Sequence, residues 1–80
     1  MEHRVLLYSR TRCHLCDEAR EVLMEVRETV PFAFEEVDID GSDELVGEYG
    51  IRIPVVLVDG EELFEYRVDR GSLKAALSQG

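Results

Sequence analysis

Cys13 and Cys16 are the only cysteines in the chain, and they sit three residues apart where a short apolar run gives way to helical periodicity. Thiols at that spacing suit disulfide exchange. A helix N-terminus presents unpaired N–H groups and a partial positive charge, both of which stabilise a thiolate. In Cys-X-X-Cys motifs at such positions the thiol pKa falls from about 8.5 to roughly 3.5–7.5. Cys13 is the expected nucleophile, and Cys16, one turn inward on the same helix face, is the expected resolving thiol. Nearby charges pull both ways: Arg10, Arg12 and His14 favour the thiolate, whereas Asp17, Glu18 and Glu21 oppose it. A zinc site would need four ligands, and only His14 and the distant His3 could join the cysteines, so no metal site is expected.

The elements that must hold the pair are legible around it. Val5-Leu6-Leu7-Tyr8 suits a buried strand, and Ser9-Arg10-Thr11-Arg12 a polar loop leaving its end. Ala19, Val22, Leu23, Val26 and Val30 then recur at three- and four-residue steps. They predict a helix from about Cys13 to the high twenties, with both sulfurs on its first turn. After Pro31, residues 32–39 read as a second strand with apolar residues on both faces, as a sandwiched sheet requires. Asp40-Gly41-Ser42 supplies a turn and N-cap, Leu45, Val46 and Tyr49 a short helical stripe, weakened by Gly47 and ended by Gly50.

Ile53-Pro54-Val55-Val56-Leu57-Val58 is the expected third strand, opening on a proline that cannot donate to the ladder. Asp59-Gly60 signals a tight hairpin, and 62–66 an antiparallel fourth strand. Asp69 then caps a final helix with Leu73, Ala76 and Leu77 as its buried stripe. The order is β-α-β-α-β-β-α.

Size and charge bound the function. Eighty residues predict one domain, 1–80, burying about 60% of its unfolded surface. With 45% hydrophobic and 34% charged residues it reads as a compact chain rather than a disordered one. The N-terminus lacks the basic flank, apolar core and cleavage site of a signal peptide, and the apolar runs are too short to span a bilayer. A reducing cytoplasm is therefore expected, where disulfides are usually transient and catalytic. A net charge of −9 argues against nucleic acid and anionic membranes as partners.

The element order, the cysteine pair opening the first helix and an Ile-Pro opening the third strand together resemble the thioredoxin fold in its short glutaredoxin-like form. The likeness covers essentially the whole chain. Its specific points are Tyr8-Ser9 leading to Cys13-His14-Leu15-Cys16, Tyr49-Gly50-Ile51 before Ile53-Pro54-Val55, and Val58-Asp59-Gly60 at the hairpin. The resemblance implies an α/β, three-layer fold on a four-stranded mixed sheet. It also implies a cis peptide bond before Pro54, which packs beside the reactive cysteine, and backbone hydrogen bonds from Ile53 to the substrate.

Two positions depart from the family pattern. His-Leu stands between the cysteines where Pro-Tyr is usual, and the Gly-Gly expected after the fourth strand is absent, with Tyr66-Arg67 near that place. Both bear on glutathione, which the family holds partly through the segment after those glycines. Asp69 could hold the amino group of that ligand, or serve simply as a helix cap, while Arg12 or Arg52 meets a carboxylate. His14 is a further candidate contact.

The resulting expectation is a monomeric thiol-disulfide oxidoreductase with no tightly bound cofactor. It reduces protein or glutathione mixed disulfides through Cys13 and Cys16 and is recharged by an external reductant, with glutathione as candidate co-substrate. A thioredoxin-like reductant served by a reductase is the first alternative. A non-catalytic module holding a metal or iron–sulfur centre on the same cysteines is the second. Arg10, Arg12 and Arg52, in loops at neighbouring strand ends, are expected to form a positive patch bordering Cys13.

Overall fold

The computed structural model describes residues 2–78; Met1, Gln79 and Gly80, part of the 1–80 span expected as one domain, lie outside the described residues. The elements are β1 (His3–Ser9), α1 (His14–Thr29), β2 (Phe32–Asp38), a single 3₁₀ turn (Ile39–Gly41), α2 (Asp43–Tyr49), β3 (Val55–Val58), β4 (Glu61–Glu65) and α3 (Arg70–Leu77). The strands form one mixed sheet in the order β2-β1-β3-β4. β1 runs parallel to β2 and antiparallel to β3, and β4 returns antiparallel to β3.

Alternation along the central strands divides the side chains between two faces. Val5 and Leu7 of β1 and Val56 and Val58 of β3 join Ala19, Leu23 and Val26 of α1 and Leu73 and Leu77 of α3 in one core cluster. Those two helices therefore share a face. Arg70 of α3 donates from Nε to Glu25 of α1 at 2.7 Å, tying them together at the surface. Tyr8 points to the opposite face and stacks on Tyr49, which places α2 there and completes three layers.

Several boundaries differ from the sequence expectation, each for a local reason. Cys13 is not in the helix but caps it, with an extended backbone (φ −108°, ψ 107°), so only Cys16 lies on the first turn. β2 stops at Asp38 because the Asp38 carboxylate accepts the Asp40 N–H at 2.9 Å and turns the chain into the 3₁₀ segment that contains Ile39. Nor is β2 sandwiched: as an edge strand it leaves Glu35 and Glu36 exposed. β3 begins at Val55 rather than Ile53, since Pro54 follows a cis peptide bond and has no N–H to give.

Gly50 does end α2, yet in a right-handed conformation (φ −52°). What the position requires is room, because a Cβ there would lie 2.5 Å from the Val46 carbonyl oxygen. At the hairpin, Asp59 (φ 53°) and Gly60 (φ 87°) are both left-handed, as a two-residue turn between twisted strands demands.

Candidate active site

Register alone assembles the site. Tyr8 pairs with Val55, and Val55 with Glu65, so one step onward Ser9, Pro54 and Tyr66 fall in line at one end of the sheet. The loop carrying Cys13 and the loop carrying Pro54 thus leave adjacent central strands at the same rim. The Tyr66 N–H donates to the Pro54 carbonyl at 2.9 Å, extending that line to the exit of β4.

Cys13 and Cys16 are joined as a disulfide, with Cα atoms 5.1 Å apart. The two sulfurs are not equivalent. Cys13 is part-exposed, whereas Cys16 is 0% exposed beneath the first turn of α1. The Cys16 N–H donates to the Cys13 sulfur at 3.2 Å, so a backbone donor at the helix start points at that sulfur. An external thiol or disulfide can reach Cys13 alone.

The loop before the cysteines is pinned by carboxylates on and just beyond β2. Buried Ser9 donates to Glu36 at 2.7 Å, Thr11 to Asp38 at 3.1 Å, and Arg10 meets Asp40 at 2.6 Å. Arg20 of α1 also donates from Nε to Glu36 at 2.8 Å. That bond holds the Glu36 carboxyl below its usual range, with burial opposing and the Ser9 bond assisting. Sequence reasoning missed these acids as positioning residues. The available signal was their spacing, 36, 38 and 40, beside a strand whose parallel partner ends in Ser-Arg-Thr.

The remaining candidates divide. Pro54 is fully buried and Ile53 part-exposed at the rim. Arg12 is exposed, left-handed (φ 61°) and, among the described residues, has no carboxylate partner. His14 is exposed on α1, its Nε2 3.9 Å from Glu18. Asp69 caps α3, accepting the Ser72 N–H at 2.8 Å, and hydrogen bonding from the Ser72 side chain, followed by that backbone bond, lowers its carboxyl pKa.

Arg52 donates to Glu65 at 2.8 Å and Glu62 at 2.9 Å, lies 3.7 Å from Glu48, and has its pKa raised by the bonds to the first two. With Arg10 also paired, two of the three arginines expected to form a positive patch are already matched by acids. Among the described residues no group of three or more His, Cys, Asp and Glu is placed to hold a metal ion. No described helix is long and apolar enough to cross a membrane.

Comparison with known proteins agrees with this geometry. A family model described as a glutaredoxin-like domain (DUF836) matches residues 4–78. The crystal structure of a structural-genomics target protein from X. campestris is 40% identical, with a TM-score of 0.78 over 92% of this chain and 95% of that one. An uncharacterized protein of Mycobacterium bovis is 33% identical over 95% of this chain and 84% of its own length. Oxidized mitochondrial thioredoxin 3 of Saccharomyces cerevisiae, 18% identical, superposes with a TM-score of 0.69 over 96% of this chain and 77% of its own, a likeness of fold alone.

Proposed function

The chain belongs to the glutaredoxin-like (DUF836) family, and from that premise we propose that it is a dithiol-disulfide oxidoreductase acting on protein disulfides. The observation that carries this reading is the asymmetry of the pair: one disulfide, with Cys13 reachable and Cys16 buried behind it.

In the reduced protein the Cys13 thiolate attacks one sulfur of a substrate disulfide. A mixed disulfide forms and the other substrate sulfur leaves as a thiolate. Cys16 loses its proton and attacks the Cys13 sulfur, releasing the second substrate thiol and closing the Cys13–Cys16 bond. Two electrons pass to the substrate, its two sulfurs taking one proton from Cys16 and the other from solvent, and the pair is left as the Cys13–Cys16 disulfide. An external thiol or reductase returns the two electrons, and a reducing cytoplasm is the compartment in which such a pair cycles.

The rim contributes binding rather than chemistry. The Ile53 backbone and Pro54 are proposed to line the substrate beside Cys13, with Arg12 and His14 at its margin. The carboxylates around Arg52 and the capping bond of Asp69 favour structural roles for those two over capture of an anionic thiol.

The test is to follow reduction of insulin disulfides by dithiothreitol, with and without the protein. Acceleration that depends on both cysteines is expected, and none would overturn the reading. Adding either reduced glutathione or a thioredoxin reductase with its nicotinamide cofactor to oxidised protein then identifies the reductant.

A further inference from the structure

We infer that Tyr66 sets the substrate class of this site: its ring closes the groove beside the disulfide to small anionic thiols and, with Ile51, offers an apolar rim to an extended polypeptide carrying the target disulfide. The inference deepens the oxidoreductase reading and rests on it.

Tyr66 is anchored at both ends to one loop. Its N–H donates to the Pro54 carbonyl at 2.9 Å and its hydroxyl to the Ile51 carbonyl at 2.8 Å, so the phenol ring runs along the segment that leads into the proline. The backbone adopts φ 66°, a left-handed conformation that a large residue takes up only against steric resistance. Two directed hydrogen bonds hold it there. Tyr66 also lines a cavity of 180 Å³ with Arg67, Val68 and, from α1, Leu15, Glu18, Ala19 and Val22. Leu15 lies between the two cysteines in sequence, so this cavity adjoins the helix turn that carries them. A cavity of that size falls below the roughly 300–1,000 Å³ of ordinary small-ligand clefts.

Charge gives a small anion little net hold. Arg52 is held by carboxylates of Glu62 and Glu65, Glu18 and Arg67 line the cavity together with opposite charges, and the whole chain carries −9. What the rim does expose is apolar: Ile51 is 89% and Tyr66 46% exposed, two of the three large apolar side chains left in the open among the described residues. They are neighbours through the hydroxyl–carbonyl bond, and both adjoin the proline loop. An extended chain with apolar side chains flanking its disulfide fits such a rim, since burying exposed apolar surface favours association.

Tyr66→Gly and Tyr66→Asn both tolerate the left-handed backbone and remove the ring. Binding of S-methylglutathione, which cannot exchange, is followed by amide chemical shifts in the oxidised parent and in each variant, whose spectra also report folding. The same proteins are assayed for kcat/KM on an apolar peptide disulfide and on hydroxyethyl disulfide. The expected result is no saturable binding by the parent at millimolar ligand, saturable binding at least tenfold tighter in a folded variant, and a several-fold loss of preference for the peptide.

Equal binding of S-methylglutathione by parent and folded variants, or an unchanged preference, overturns the inference. A parent that reduces no disulfide overturns the oxidoreductase reading instead. The binding comparison needs no turnover and still decides the role of Tyr66 as a barrier.

Discussion

Tyr8 of β1 stacks on Tyr49 of α2 with ring centroids 4.4 Å apart and planes at 19°, and the Arg52 guanidinium lies 5.1 Å from the Tyr49 ring centre. The short helix is thereby fixed to the sheet just where it hands the chain to the proline loop. None of the residues of α2 is fully buried, so this stack is a principal hold on it. Tyr49→Ala should cost more than the roughly 0.5–1.5 kcal/mol that an aromatic pair contributes beyond its buried area. Urea unfolding measures that cost, and amide exchange should quicken across α2 before it does in α1.

The carboxylates beside the cysteine loop make a second prediction. Asp38 accepts from both the Thr11 hydroxyl and the Asp40 N–H, so one side chain holds the loop and the turn after β2. Asp38→Ala should accelerate amide exchange across residues 10–12 and slow reduction of a protein disulfide several-fold. Unchanged exchange in that loop would show that Ser9 and Arg10 suffice to hold it.

Acid should weaken one of these ties in a defined direction. The hydrogen bond from Arg20 depresses the folded-state pKa of Glu36, so its contribution is fully present above the unfolded carboxyl pKa of about 4.3 and is lost as pH falls through the lower folded value. The gap in Tm between the parent and Glu36→Gln should be widest at neutral pH and should narrow below about pH 4. A gap that stays constant down to acid pH would show that Glu36 is held by its neutral bonds rather than by its charge.

Much of the scaffold could be read from local pattern. Leu23 and Val26 recur with helical period and are buried, Asp59-Gly60 turns the hairpin, and Asp69 caps α3, because each of those features is decided by residues close in sequence. The placement of the two cysteines at the start of α1 and of Pro54 just before β3 was legible in the same way. What escaped were long-range pairings. Arg52 looked available for a ligand because Glu62 and Glu65 come to it only through the return of β4, whose pairing with β3 shifts register between Val56 and Leu57. Tyr66 was read as the end of a strand, since nothing local in a tyrosine announces a positive φ. Its hydroxyl partner lies 15 residues back.

The central claim is that Cys13 attacks and Cys16 resolves, and trapping of the mixed disulfide tests it most directly. Reduced Cys13→Ser and Cys16→Ser proteins are mixed with a disulfide-bearing peptide, and the covalent adduct is weighed by mass spectrometry. Cys16→Ser should accumulate a stable adduct of one peptide strand on Cys13, because the buried partner that would release it is gone. Cys13→Ser should form none at a comparable rate, its remaining sulfur being 0% exposed. Adduct on Cys16 in Cys13→Ser, with none on Cys13 in Cys16→Ser, would contradict the assignment.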